Sequence, residues 1–197
     1  LADPRFTAVT LLTRRTTGMT HDKLREHLVD FDRPDTWNAL AVGDVLFSAL
    51  GTTLKVAGSQ AAQYTVDHTY QLHVARAARQ NGTDTYVLVS SAGASSRSRV
   101  FYSRMKGELE RDTAALGFTH VHILRPGPLD GDRTEHRSGE AWMLRLLRPL
   151  SPLLPAIARP IHADIVARAG IAAAFDPTPG VAHHEPADLF RLGAAPP

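Results

Sequence analysis

Apolar, β-branched runs alternate along this chain with stretches of helical periodicity. Residues 6–13 (Phe-Thr-Ala-Val-Thr-Leu-Leu-Thr) predict a buried strand. Residues 24–29 predict a weaker strand closed by Asp30-Phe31-Asp32, and residues 35–40 a short helix. A second buried strand is expected over 44–50, running into the polar turn Gly51-Thr52-Thr53. From 61 to 80, Val66, Tyr70, His73, Val74 and Ala77 recur at helical spacing, and Asn81-Gly82 stops them as a C-cap would. Residues 86–89 are a third buried strand, 98–116 a long helix closed by Gly117, and 121–124 a fourth strand followed by Arg125-Pro126-Gly127-Pro128. Apolar strands separated by helices predict a parallel sheet covered on both faces, with ligands at the carboxyl ends of the strands. Arg14, Asp30, Gly51, Ser91 and Arg125 each close a strand, so the chemistry gathers on one edge.

After Gly139 the pattern changes. Residues 141–154 are apolar and basic and are broken by Pro149, Pro152 and Pro155, while 163–175 reads as an alanine-rich helix. The expected division is a core over 1–140 and a small cap over the substrate side of the sheet, 141–197, within one domain.

Composition narrows the class. The 197 residues are 43% apolar, which suits one globular domain with a full core. There is no cysteine, which excludes disulfides and thiolate metal sites. A formal charge of +2 with scattered basic residues gives no reason to expect nucleic acid. The longest apolar runs fall well short of the ~20 residues of a membrane span. No basic n-region followed by an apolar stretch opens the chain, and a cytoplasmic protein is expected. The histidines show no zinc spacing with a carboxylate, so no metal is expected.

The most specific chemistry is Tyr102-Ser103-Arg104-Met105-Lys106, eleven residues after Ser91. A Tyr and a Lys four apart share one helix face. A free Tyr has a pKa of about 10, and a neighbouring ammonium lowers it by roughly 1–3 units, toward the range useful in general acid–base catalysis. A hydroxyl such as Ser91 at the end of the preceding strand comes within reach of both. The alternative is that Tyr102 packs and Lys106 is solvated. Arg14 and Arg15 are either a solvated pair or a site for a 2′-phosphate. Leu50-Gly51-Thr52-Thr53 is either a turn or a cofactor-lining loop. Asp30-Phe31 either flanks an adenine or simply ends a strand. Arg125 is either a salt-bridge partner or, with Pro126 and Gly127, part of a nicotinamide-side loop.

The order strand–Ser–helix–Tyr-x-x-x-Lys–strand–Arg-Pro-Gly resembles the short-chain dehydrogenase/reductase superfamily. Within it, the chain resembles the atypical, TIP30 (CC3)-like NAD(P)-binding family. The shared words are Leu50-Gly51-Thr52-Thr53 with Ala57-Gly58-Ser59, Val66-Asp67, Val89-Ser90-Ser91-Ala92-Gly93-Ala94, Phe101-Tyr102 with Lys106-Gly107-Glu108, and Arg125-Pro126-Gly127. They cover about residues 5–140. The resemblance implies a Rossmann-type doubly wound sheet and a nicotinamide dinucleotide. Tyr102 would be the proton donor or acceptor, Lys106 would hold the nicotinamide ribose, and Ser91 would orient a carbonyl. Arg14 and Arg15 would favour NADP over NAD. The implied activity is an NADP(H)-dependent oxidoreductase acting on a small carbonyl or alcohol. A nucleotide-sugar epimerase or dehydratase and a non-catalytic NADPH-binding regulator are the alternatives, with a homodimer or protein partner possible.

Two departures stand out. The chain begins at Leu1, and the family's first strand and glycine-rich turn are not in it, so about 20 upstream residues are expected. The position where many relatives carry an Asn on the helix before the Ser strand reads as Thr65, with Asp67 nearby.

Overall fold

The computed structural model describes residues 1–130 and 159–194. Its main sheet is parallel, in the order β3 (Val45–Ser48), β4 (Thr85–Val89), β5 (His120–Leu124), β8 (Gly180–His184). The register pairs Tyr86 with Val121 and Leu88 with Ile123. Alternation along β4 and β5 sends these four residues to one face, where they pack with Leu109 of α4 (Phe101–Ala114), Ala75 of α3 (Gln71–Gln80) and Phe118. Val87 and Leu124 point to the other face and meet Val166, Ala169 and Ala173 of α5 (Ala163–Ala174) and Leu189 of α6 (Pro186–Ala194). Each large aliphatic group buried this way contributes about 1.5–3 kcal/mol. The sheet is thus covered on both faces, as the apolar strands require, and the Rossmann-type architecture holds.

A second parallel sheet pairs β1 (Val9–Thr13) with β2 (Leu24–Leu28), and a short one pairs β6 (Leu129–Asp130) with β7 (Ile161–His162). The strand expected from residue 6 starts at Val9. Phe6 instead leaves the strand and packs its ring against Phe47, at 5.9 Å, and Phe175, at 5.4 Å. β1 and β3 belong to separate sheets, and Phe47 stays 44% exposed on the edge of β3. The two sheets are joined by side chains, with Leu12 and Leu46 both packed around Phe31, Trp37 and Ala77.

The helix expected over 61–80 is not one regular helix. It opens with α1 (Leu54–Ala57), turns at Gly58 in the left-handed region (φ 81°), and restarts as α2 (Gln60–Tyr64), with Ser59 accepting the Ala62 N–H as N-cap. A π-helical turn, Thr65–Tyr70, then leads into α3. The short helix expected at 35–40 is a pair of 3-10 turns, Pro34–Thr36 and Asn38–Leu40.

The stretch expected as a cap divides differently. Residues 141–154 lie outside the described residues. Beyond them, β8 pairs along the whole of β5, and α5 and α6 cover the lower face of the same sheet. This stretch completes the core, because α5 and α6 supply residues that pack on the Val87/Leu124 face.

The β5–β8 pairing carries a titratable pair. His122, 1% exposed, and His184 approach through Nδ1 and Nε2 at 3.2 Å, with rings 5.4 Å apart. One nitrogen donates and the other accepts, so at least one of the two rings must be neutral. Burial pushes both imidazoles below their ordinary value, against the pull of Asp176 on both and of Asp188 on His184. A depressed folded-state value means that this stability is present above about pH 6.5 and is lost as pH falls through the folded values. The melting temperature should therefore fall between pH 7.5 and 5, and His122→Phe should flatten that drop. Equal drops in both proteins would contradict this.

Candidate functional site

Because the main sheet is parallel, β3, β4 and β5 deliver their carboxyl ends, and the loops 49–53, 90–98 and 125–128, to one edge. Two backbone bonds lock the loops together there. Ser90 N–H donates to Leu124 O at 2.7 Å, and Ala92 N–H donates to Pro126 O at 2.9 Å. The 90–98 loop then crosses directly over α4. Ser95 N–H donates to Ser103 O at 2.9 Å, and the loop backbone lies so close to Gly107 that a Cβ there would sit 2.2 Å from Ser96 N. Gly107 is what lets the Ser91 loop and the Tyr102/Lys106 helix approach.

Tyr102 and Lys106 lie one turn apart on α4 and differ sharply in exposure. Tyr102 is 41% exposed; Lys106 is only 4% exposed. Among the described residues the Lys106 ammonium closes no ion pair within 4.0 Å. Burial pushes its pKa down, while Asp67 and Glu110 push it back up. Ser91, half-buried, has among the described residues a single long hydroxyl contact of 3.4 Å, to Ala92 O. Ser91 follows β4, and Tyr102 and Lys106 lie on α4, which the 90–98 loop crosses.

Asp67 is the residue the sequence reading passed over in favour of Thr65. The Thr65 hydroxyl turns back to donate to Ala61 O at 3.1 Å, on its own helix. Asp67, 2% exposed, lies in the π-helical turn and accepts the Thr52 N–H at 2.6 Å. Its backbone oxygen accepts from Gln71 Nε2 at 2.7 Å, and Gln71 Oε1 accepts the Ser48 hydroxyl at 2.7 Å. The signal was present in sequence. Gln63, Asp67, Gln71 and Ala75, four apart, are all buried, so an acid occupies the inward stripe.

Arg125 is committed elsewhere than to a ligand. Its Nε and Nη2 hold both oxygens of Glu110, at 3.1 and 2.6 Å, and its Nη1 meets Glu185 at 2.9 Å. Glu110 pushes the guanidinium further up from its ordinary value. Glu110 also accepts the Ser90 hydroxyl. Expected as a cofactor residue, Arg125 is instead the clamp that ties α4 to the strand ends. Pro126 is buried and Gly127 half-buried beside it.

At the other sheet, Arg14, Arg15 and Asp30 are exposed at the carboxyl ends of β1 and β2. Phe31, expected beside an adenine, is core. It stacks on Tyr70 at 5.4 Å and meets Trp37 edge-on at 5.7 Å. The physical reason is Trp37, whose Nε1 donates to Asp30 O at 2.9 Å and folds the segment over Phe31. The Tyr70 hydroxyl donates to Asp32 at 2.7 Å, so the β2 end is anchored to the π-helical turn that follows β3. Leu50 is half-buried, Gly51 exposed, and Thr52 and Thr53 half-buried; Thr53 caps α1 by accepting the Val56 N–H at 3.2 Å.

These residues fit the nicotinamide-ribose end of a dinucleotide through a donor set of hydroxyl, phenol and a buried amine lacking an ion-pair partner. No glycine-rich strand-to-helix turn occurs in the 197 residues, so no residue is assigned to a pyrophosphate.

Solved structures with this fold include MoeE5 in complex with UDP-glucuronic acid and NAD (TM-score 0.67, 18% identity, 92% of this chain and 68% of that one). RMD from Pseudomonas aeruginosa complexed with NADPH is also similar (TM-score 0.61, 15% identity, 86% of this chain and 70% of that one). Among sequences, the chain is 44% identical over 138 residues to "Protein FMP52, mitochondrial" of Saccharomyces cerevisiae, covering 68% of this chain and 59% of that protein. It is 36% identical to the Aspergillus fumigatus protein of the same name over 99% of this chain and 87% of that protein. The match thus spans less than two thirds of the length of the yeast relative. The cytoplasmic expectation is overturned, because these relatives are named mitochondrial. The HIM1 family profile matches residues 20–149, taking in the second strand, the Asp67 turn, the Ser91 loop, the Tyr102/Lys106 helix and the Arg125 clamp, and this chain belongs to the HIM1 family.

Proposed function

We propose that the carboxyl edge of the sheet holds a nicotinamide dinucleotide, NADP in preference to NAD. On this reading the chain catalyses the reversible reduction of a small carbonyl compound to an alcohol. The observation that carries it is Lys106, a buried amine without an ion-pair partner among the described residues, one helical turn from the exposed Tyr102. Burying such a group without a partner is costly, and sites that do so are commonly functional. When bound, the dinucleotide supplies the hydride. Lys106 holds the ribose hydroxyls and keeps positive charge near the phenol. The Tyr102 hydroxyl gives its proton to the substrate oxygen as the carbonyl carbon is reduced, and takes it back in the reverse direction. Ser91 orients that oxygen. Arg14 and Arg15 face a 2′-phosphate.

The likeness to TIP30-like proteins in the words around Gly51, Ser91 and Lys106 supports the same cofactor. The fold shared with MoeE5 favours a second reading, a nucleotide-sugar epimerase or dehydratase using the same three groups.

NADPH oxidation against a panel of small aldehydes, ketones and nucleotide 4-keto sugars tests the proposal. Turnover is expected, and Tyr102→Phe should lower kcat by about 10²–10⁴ with little change in NADPH affinity. Tight NADPH binding with no turnover on any substrate would replace the enzyme by a nucleotide-binding regulator. Turnover confined to the sugars would select the second reading.

A further inference from the structure

A cavity of about 420 Å³ lies beside α4, away from Tyr102 and Lys106. Gly107, Glu110, Arg111 and Ala114 form one wall, and their spacing of three and four puts them on one face of the helix. Val181 and His183 of β8 form a second. Two apart on a strand, they point the same way, to the side on which their partners Val121 and Ile123 meet Leu109 of α4. The third wall is the 94–97 loop. The opening exists because β8 extends the sheet one strand beyond β5, and Val181 on that face is 47% exposed. The volume falls in the range of small-molecule sites, roughly 300–1,000 Å³.

Its charge is cationic. The guanidiniums of Arg97, Arg111 and Arg125 and the His183 imidazole line it against one carboxylate, Glu110. Two of the arginines are already matched. Glu110 gives both oxygens to Arg125, which also meets Glu185 at 2.9 Å, and Arg111 Nε donates to Asp112 at 2.7 Å. The Arg97 guanidinium closes no ion pair within 4.0 Å among the described residues. Its backbone, by contrast, is held. Ser98 N–H donates to Ser95 O at 2.9 Å and closes a turn over 95–98, Arg97 N–H donates to Ser95 Oγ at 3.4 Å, and Ser95 N–H ties the turn to Ser103 O at 2.9 Å. An unmatched guanidinium on a fixed turn, lining a cavity, is preorganised for an anion.

We propose that this cavity binds a small organic carboxylate. The planar fork of Arg97 takes the two carboxylate oxygens, the Ser95 and Ser96 hydroxyls and His183 supply further donors, and the apolar body rests on Ile123, Ala114 and Val181. One unmatched guanidinium suits one negative charge. The second charge of a phosphate monoester would enter a cavity that already holds Glu110, with no unmatched arginine left to receive it. The site shares no residue with Ser91, Tyr102, Lys106 or the Arg14/Arg15 pair, so it stands whether or not the strand edge holds a dinucleotide. Its walls come from α4, β8 and the loop that begins at Ser91, and a bound acid joins the three.

An NMR titration with butyrate at constant ionic strength tests this, read at the Arg97 Nε–H, the His183 ring and the Ala94 amide. All three signals should shift and saturate together. Arg97→Ala should weaken binding by about tenfold or more, read at the other two. Arg99→Ala removes the same charge from an exposed position of the same loop, outside the cavity, and should leave binding unchanged. Ala114→Phe keeps every charge and fills the apolar floor, and should abolish binding. If that variant does not fold, Val181→Phe, at an exposed position, fills the cavity from the β8 side with the same expected loss. Equal weakening by Arg97→Ala and Arg99→Ala would reduce the effect to general charge attraction and overturn the inference. Shifts that never saturate, or undiminished binding in the filled cavity, would overturn it too. Inorganic phosphate, the second probe, should bind more weakly than butyrate, and tighter phosphate binding at the same signals would overturn the carboxylate assignment. NADPH titrated separately reports on the dinucleotide reading alone, so either can fail without the other.

Discussion

Gly107→Ala should lower the stability of the fold by about 3 kcal/mol, although alanine is the better helix former by about 1 kcal/mol. Gly107 lies in the middle of α4 with ordinary helical backbone, so propensity alone predicts a gain. Sterics reverse the sign. The added Cβ would sit 2.2 Å from Ser96 N, 2.3 Å from Ser95 C and 2.6 Å from Ser95 Cα, all of them backbone atoms. A flexible side chain could swing away, but this loop is held by the Ser95 N–H bond to Ser103 O and by the Ala92 N–H bond to Pro126 O. Making room therefore means moving the whole loop off α4, which also shifts Ser91 away from Tyr102 and Lys106. For a domain of this size the melting temperature should drop by roughly 6–12 °C. An unchanged or raised melting temperature would show that the loop and helix do not approach as described.

Glu110→Ala should cost about as much, by a different route. Glu110 is buried, receives both donors of Arg125 and accepts the Ser90 hydroxyl, so one side chain joins α4, β4 and β5. Breaking a buried ion pair by removing one partner costs about 3–5 kcal/mol, because the other charge stays desolvated. Arg125 keeps Glu185 at 2.9 Å and its side chain is 21% exposed, so part of that charge is relieved by solvent. The expected loss is then about 2–3 kcal/mol in urea unfolding. Glu110→Gln should cost less, since the amide oxygen still accepts from Arg125 and Ser90. Equal losses in the two variants would mean that volume, not charge and hydrogen bonding, sets the effect.

The sequence made β4 and β5, the centre of the sheet, legible because they are buried, and burial on both faces writes itself as a continuous apolar run. β8 was not legible for the opposite reason. Gly180-Val181-Ala182-His183-His184 lies at the edge of the sheet, Val181 is exposed, and two histidines replace the apolar residues an inner strand would carry. The π-turn was hidden because one extra residue barely disturbs a helical pattern read at 3.6 residues per turn. Phe31 was misplaced because an aromatic next to Asp at a strand end resembles a ligand wall. Only the fold shows Trp37 and Tyr70 closing over it. In the candidate site, Ser91, Tyr102 and Lys106 could be named from spacing, since one helix and one strand end fix their relation. Asp67 and the commitment of Arg125 to Glu110 depend on contacts between separate elements, which spacing does not encode. The described strands form three sheets, with β1 and β3 in different ones.

The central claim is that the edge defined by Lys106, Asp67 and the strand-end loops holds a nicotinamide dinucleotide. The most direct test is a calorimetric titration of NADPH and NADH into the wild-type chain and into Lys106→Met and the double variant Arg14→Ala/Arg15→Ala. NADPH should bind the wild type more tightly than NADH, weaken by about tenfold or more in Lys106→Met, and lose its advantage over NADH in the double variant. No binding of either dinucleotide, or equal binding by wild type and Lys106→Met, would contradict the account.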